Sequence, residues 1–182
     1  MPGGGKSTVG RHLARRLNEQ FIDTDVVIER QIGCPIRTFF EQEGEERFRD
    51  IEAQVLDELS RSEHGVVATG GGIVIREANR AALRDRTVCV YLRSTPEELF
   101  RRVRHDAKRP LLQVADPLAR LRELFATRDP LYRQAAHYVI ETGRPSVPSL
   151  VNMILMQLEL AGLVDARAVQ SPIDAPADEP RH

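Results

Sequence analysis

The 182-residue sequence predicts an α/β domain, with a mostly parallel sheet covered on both faces by helices. Three observations lead there. Short apolar runs alternate with helical segments of ten or more residues, and parallel strands require crossover connections of that length. Hydrophobic residues make up 41% of the chain, enough for one core in a length that suits one domain. A glycine-rich turn, Gly3-Gly4-Gly5, leads straight into an amphipathic helix, the order in which anion-binding loops are built.

The elements follow in order. Ser7 to Leu17 is a helix, because Val9, Leu13 and Leu17 recur at i, i+4 and i+8 with arginines on the other sides. Phe21-Ile22 is the end of a strand that stops at Asp23. Val26 to Gln31 is a short helix, with Gly33 as its stop. Glu45 to Ser60 is a longer one, whose Phe48, Ile51, Val55 and Leu59 share a face. Val66-Val67-Ala68 is a buried strand running into Gly70-Gly71-Gly72. Val88 to Leu92 is the clearest central strand. Thr95, Pro96 and Glu98 form a capping box that opens a helix to about Arg104. Leu118 to Phe125 is helical, Tyr138 to Ile140 is the last strand and Val147 to Leu160 the last helix. Residues 165–182, rich in Ala, Pro and Asp without periodicity, are expected to be a disordered tail.

Composition excludes several classes. The 26 basic and 27 acidic side chains leave a formal charge of −1, whereas a dedicated nucleic-acid binder carries a basic excess. No apolar run approaches the ~20 residues of a membrane span. The start, MPGGGKST, has no signal-peptide pattern. Two cysteines, Cys34 and Cys89, make neither a disulfide framework nor a zinc site. A soluble, cytoplasmic, globular protein is expected.

The chemistry begins at Gly5-Lys6-Ser7, the last three places of the phosphate-binding pattern G-x-x-x-x-G-K-[ST]. Backbone N–H groups of such a loop close around phosphate oxygens at a helix N-terminus. Lys6 would reach the β- and γ-phosphates and the Ser7 hydroxyl would bind Mg²⁺. The first glycine of the pattern would fall one position before Met1, and the apolar strand that feeds the loop is absent. Its loss would leave unpaired backbone groups on two neighbouring strands at ~1–3 kcal/mol each, against a whole-domain stability of ~5–15 kcal/mol. The expectation is that the chain lacks its true N-terminus and that Met1 is an internal methionine.

Further clusters follow in one order: Phe21-Ile22-Asp23-Thr24-Asp25, then Phe39 to Arg49 (FFEQEGEERFR), then Gly70-Gly71-Gly72, then Arg109-Pro110-Leu111-Leu112, then Arg128-Asp129-Pro130-Leu131-Tyr132. Together with the loop, this series resembles shikimate kinase, a P-loop family of the nucleoside-monophosphate-kinase type, from about Met1 to Leu163. The resemblance implies a three-layer P-loop kinase fold with a central parallel sheet whose first, central strand is missing here. It implies one domain over 1–164 followed by a tail. It implies use of ATP and Mg²⁺ to phosphorylate the 3-hydroxyl of shikimate, giving 3-phosphoshikimate on the route to chorismate and the aromatic amino acids. A monomer is expected, with a small-molecule substrate and no nucleic-acid or membrane partner.

The resemblance also implies roles by position. Gly3, Gly4, Gly5, Lys6, Ser7 and Thr8 would hold the nucleotide, and Ser7 with Asp23 the metal, which keeps several of its own waters. Asp25 would bind the substrate hydroxyls and take the proton of the attacking one. Arg49 and Arg128 would hold the substrate carboxylate, since a guanidinium meets a carboxylate in a planar fork. Gly70, Gly71 and Gly72 would lie against substrate. Arg109 would swing onto the transferring phosphate. Arg104 and Arg144 match adenine-side positions. Among 24 arginines most should be solvated, including Arg101 and Arg102. Cys89 should be a buried core thiol and the histidines surface residues. Two other readings stand beside this one. A ligand-sensing domain of a transcription regulator would show a helix-turn-helix upstream. Another small-molecule kinase of this fold, such as a gluconate kinase, would be separated by its acceptor.

Overall fold

The computed structural model describes residues 3–61, 64–103, 114–143 and 145–165. The elements are α1 (Lys6–Leu17), β1 (Phe21–Asp23), α2 (Thr24–Ile32), α3 (Ile36–Ser60), β2 (Val66–Ala68), α4 (Glu77–Arg86), β3 (Val90–Arg93), α5 (Pro96–Val103), α6 (Pro117–Ala135), β4 (Tyr138–Glu141) and α7 (Val147–Leu160). The expected tail lies outside the described residues except for Asp165, as do Met1 and Pro2.

Strand pairing is parallel throughout. β1 pairs with β2 in the register Phe21 to Val66, and β3 pairs with β4 in the register Val90 to Tyr138. The two pairs are separate sheets, so β2 and β3 exchange no ladder bonds. The predicted central strand is therefore Val90–Arg93 and borders a gap. Val88 and Cys89 precede it, because the Cys89 carbonyl accepts from the His137 and Tyr138 N–H groups where the β3–β4 ladder begins.

Alternation along the strands builds the layers. Val90 and Leu92 pack with Val9 and Leu13 of α1 and with Leu150, Ile154 and Leu158 of α7. Tyr91, between them, packs with Leu56 of α3, Leu83 of α4, Leu99 of α5 and Leu121 of α6. A third cluster, Ile28, Phe48 and Val55, joins α2 to α3.

Local chemistry explains most boundaries. The capping box at Thr95 is reciprocal: the Thr95 N–H donates to Glu98 Oε2 at 2.8 Å and the Glu98 N–H to Thr95 Oγ1 at 3.3 Å. Asp23 caps α2, accepting from the Asp25 N–H at 3.1 Å. α3 starts earlier than the periodicity suggests but kinks at Gly44, with φ 82° and ψ 172°. The long amphipathic helix thus resumes at Glu45, where it was expected. α4 was not expected.

The larger departure is α6, which runs ten residues past Phe125 and straight through Pro130. A proline removes one helical hydrogen bond and usually ends the pattern. Here Asp129, next to it, is buried and accepts from Tyr91 Oη at 3.0 Å, Arg93 Nε at 2.9 Å and Arg133 Nε at 2.9 Å. The bonds from Tyr91 and Arg93 tie the helix to β3 just before the proline, and the Arg133 bond spans the proline within the helix. Burial works against the charge of Asp129, but bonds from Arg133, Arg93 and Tyr91 outweigh it and hold its pKa below the ordinary value.

Candidate active site

Gly5 caps α1 in the left-handed region at φ 76°, and Gly3 in the same loop has φ 74°. Only glycine adopts such angles without strain. The turn aims the first N–H groups of α1 outward, where an anion would meet both the donors and the positive end of the helix. The first turn of α1 carries no acidic side chain that would repel one. Lys6 and Ser7 are half-buried and Thr8 is exposed.

β1 delivers its end to this loop. Ser7 Oγ donates to Asp23 Oδ2 at 2.7 Å, so the predicted hydroxyl and carboxylate of a metal site touch across sixteen residues of sequence. A hydroxyl and one carboxylate, both hard oxygen donors, suit Mg²⁺. Among the described residues no group of three or more His, Cys, Asp or Glu could hold a metal, which leaves the phosphates and water to complete any Mg²⁺ shell.

Asp25 stands two residues further on, in the first turn of α2. Its side chain reaches solvent, yet the protein packed round it raises its pKa. Asp23 and Glu29 add repulsion, while Lys6 and Arg49 pull the other way. The buried Thr24 between the two aspartates accepts the Gly70 N–H on Oγ1 at 3.0 Å. That bond ties the start of α2 to the loop after β2.

The same loop is pressed against the Arg49 anchor. A Cβ on Gly70 would lie 2.8 Å from Asp25 Oδ1 and 3.0 Å from Glu52 Oε1, and one on Gly72 only 2.1 Å from Arg49 Nη1. Arg49 is buried, against the expectation for most arginines here. Its Nη1 donates to Glu52 Oε2 at 2.7 Å. Its Nε and Nη2 donate to Glu45 Oε1 at 3.3 and 3.0 Å. The rings of Phe40 and Phe48 lie 5.9 and 5.3 Å from its guanidinium, within cation–π range. Glu52 is 1% exposed. Burial pushes its pKa up, and Asp25 adds to that, while Arg49 and Arg128 oppose it. Glu45, by contrast, is well exposed.

Arg128 completes the group from α6. Its Nη1 donates to the Gly71 carbonyl at 3.1 Å, and Tyr132 Oη donates to the same oxygen. Tyr132 stacks on Tyr91 with ring centroids 4.7 Å apart, and burial pushes its hydroxyl up to about 12. The structure thus brings together Lys6, Ser7, Asp23, Asp25, Arg49, Gly70, Gly71, Gly72 and Arg128.

Arg104, Arg109 and Arg144 lie outside the described residues. Arg102 is exposed at the end of α5, as expected, and it also makes specific bonds. Its guanidinium donates to the Thr142 carbonyl and to Ser94 Oγ, tying α5 to the ends of β3 and β4. Cys89 is partly exposed rather than fully buried, though burial still raises its thiol to about 11. Glu52, Glu45, Thr24 and Tyr132 belong to the site but had no role in the sequence reading. For Glu52 a signal existed: it sits three residues after Arg49, the spacing of an ion pair on one helix face.

The shikimate kinase family model matches residues 2–159. Among curated proteins, the shikimate kinase of Paracidovorax citrulli is 60% identical over 166 residues, covering 90% of this chain and 91% of the relative. That of Ralstonia nicotianae is 56% identical over 170 residues, covering 93% and 90%. Among solved structures, a shikimate kinase from Acinetobacter baumannii in complex with shikimate superposes with a TM-score of 0.82 at 46% identity, covering 90% of each chain. That from Aquifex aeolicus superposes with a TM-score of 0.78 at 34% identity, covering 90% and 95%.

Proposed function

The chain belongs to the shikimate kinase family, and on that premise we propose that it transfers the γ-phosphoryl group of ATP to the 3-hydroxyl of shikimate. The observation that carries this is the convergence of two arginines on one glycine loop beside an aspartate. Arg49 and Arg128 meet at Gly71 and Gly72, and Asp25 faces Gly70. A small polyhydroxy acid needs cations for its carboxylate and an acceptor for its hydroxyls, and this loop offers both at once.

Arg49 and Arg128 orient the acid by its carboxylate. Glu52 holds Arg49 in place from the protein side, so the anchor loses little freedom on binding. Asp25 accepts the hydrogen bond of the attacking hydroxyl and takes its proton as the new O–P bond forms. The environment that raises its pKa also makes it a better proton acceptor once ionised. Lys6 and the N–H groups at the start of α1 stabilise negative charge on the phosphoryl oxygens. Ser7 and Asp23 would hold Mg²⁺, which supplies charge neutralisation to the phosphates when bound. By its match to the family's pattern Arg109 would add a further positive charge at the phosphates, and Arg104 and Arg144 would serve the adenine side. Two free cysteines support a reducing, cytoplasmic setting. Among the described residues no helix is long and apolar enough to cross a membrane.

The test is ADP release coupled to a second enzyme, with shikimate and gluconate offered separately as acceptors. Shikimate-dependent release is expected. Preference for gluconate would overturn the assignment, and so would the absence of acceptor-dependent release from a chain that binds ADP.

A further inference from the structure

Two faces of α6 meet two different parts of the protein. Arg128 and Tyr132 stand four residues apart, so they share one face. Both bond the Gly71 carbonyl, Arg128 through Nη1 at 3.1 Å and Tyr132 through its hydroxyl. Phe125, Asp129 and Arg133 also recur every four residues and form the next face, about 100° round the helix. That face meets the end of β3. Asp129 Oδ1 accepts from Tyr91 Oη at 3.0 Å and from Arg93 Nε at 2.9 Å, and Oδ2 accepts from Arg133 Nε at 2.9 Å. The Arg93 guanidinium lies 5.0 Å from the centre of the Phe125 ring, within cation–π range.

The sheet holds these donors still. Tyr91 and Arg93 are two apart on a strand, so both project to the same side. Tyr91 is buried in the cluster of Leu99, Leu121 and Leu124 and stacks on Tyr132. Arg93 is fixed by its backbone and its side chain together. Its carbonyl accepts the Thr142 N–H at 2.8 Å, and its Nη1 donates to Glu141 Oε1 at 3.0 Å. Both partners lie at the end of β4. α6 itself is weakest between its two site residues. Pro130 has no N–H for the Ala126 carbonyl, and its ring crowds that turn. The helix's own bonds therefore do not fix how far Arg128, before the proline, and Tyr132, after it, are turned towards Gly71. Asp129 fixes this from outside, with two bonds to β3 and a third that spans the proline.

We infer that Asp129, held by Tyr91 and Arg93, is the positioning residue that sets Arg128 on the substrate carboxylate. The inference rests on the function proposed above and adds the residues through which the sheet aims one of its two anchors. The lever is short. A group on the surface of a helix lies ~5–6 Å from the axis, so a rotation of about 10° moves it by about 1 Å. A misplacement of ~1 Å at a positioning group costs up to ~100-fold.

The test uses the full chain with Tyr91→Phe and Arg93→Leu, singly and together, in the unsubstituted and the Arg128→Ala backgrounds. Phenylalanine keeps the ring that stacks on Tyr132, and leucine keeps an apolar stem beside Phe125, so the changes are aimed at the bonds to Asp129. Shikimate and ATP are varied separately in the ADP-release assay, and thermal unfolding is followed. Crystal structures of the unsubstituted chain and the double variant are solved without substrate. The double variant is expected to raise the shikimate KM at least ~10-fold, to leave the ATP KM within about twofold, and to show the Arg128 guanidinium displaced from the Gly71 carbonyl by about 1 Å. In the Arg128→Ala background the same pair should change the shikimate KM by less than about twofold. Tyr91→Phe alone should raise it about two- to tenfold and decides the matter if the double variant does not fold. A lowered unfolding midpoint with both KM values unchanged would overturn the inference, since Asp129 would then serve stability alone. So would an equal loss in both backgrounds, or an undisplaced Arg128 in the double variant. If the unsubstituted chain releases no ADP with shikimate, the proposed function fails, while the position of Arg128 in the two structures still decides this inference.

Discussion

A methyl group on Gly72 tests the substrate anchor without touching any of its charges. Gly72 has a backbone conformation open to other residues, so alanine meets only one obstacle. Its Cβ would lie 2.1 Å from Arg49 Nη1, 2.4 Å from Cζ and 2.5 Å from Nη2. To regain an ordinary 3.4 Å contact the guanidinium must retreat by about 1.3 Å. It cannot do so freely, because Glu52 holds Nη1 at 2.7 Å from a buried position and Phe40 and Phe48 flank it. A misplacement of ~1 Å at a positioning group costs up to ~100-fold. Partial loss of a buried carboxylate–guanidinium contact costs at least ~2 kcal/mol, which is about 30-fold in affinity. Gly72→Ala is therefore expected to raise the shikimate KM about 30-fold and to leave the ATP KM within about twofold, because no nucleotide-side group moves. Steady-state kinetics with each substrate varied measures both. Repeating the substitution in an Arg49→Ala background separates this cause from any other, because the obstacle is then gone and the added methyl should change little. A shikimate KM unchanged by Gly72→Ala would refute the reasoning, and so would a loss of the same size in both backgrounds.

Three other outcomes are expected. Asp25→Asn should lower kcat ~100-fold or more while raising the unfolding midpoint at pH 7. The folded-state pKa of Asp25 lies above its ordinary value, so the stability it contributes is present below the unfolded pKa and lost as pH rises through the folded one. Calorimetry at pH 7 and at pH 3 checks the sign: the gain should vanish at pH 3. Tyr132→Phe removes one hydrogen bond to the Gly71 carbonyl but leaves that of Arg128; the loss of ~0.5–1.5 kcal/mol should raise the shikimate KM about two- to tenfold and spare the ATP KM in the same kinetic assay. Glu45→Gln should lower the shikimate KM about two- to fivefold. Exposed Glu45 occupies the Nε and Nη2 donors of Arg49, and weakening that competitor frees them for the substrate carboxylate; titration calorimetry with shikimate reads this directly.

Local rules carried much of this protein. Lys6 and Ser7 after three glycines, the capping box at Thr95 and the stop at Gly33 are short-range chemistry, and each stands where residue type and spacing put it. The parallel character of the strands followed from the lengths between them. Local rules failed at Pro130, where a helix that its own backbone should end is carried on by Asp129 bonded to Tyr91 and Arg93 of a strand 36 to 38 residues away. They failed also at Tyr132, whose role exists only because α6 closes on the Gly70–Gly72 loop.

The sequence by itself thus determined the phosphate loop, the order of strands and helices apart from α4, and which residue types could meet a polyhydroxy acid. These depend on backbone conformation and periodicity, which act over a few residues. Only the tertiary structure decided which of 24 arginines lose their water. Arg49 does, because the Gly70–Gly72 loop closes over its guanidinium, and Arg128 is drawn to Gly71. Burial and partner geometry are properties of contacts between distant segments, and no local pattern of residues encodes them.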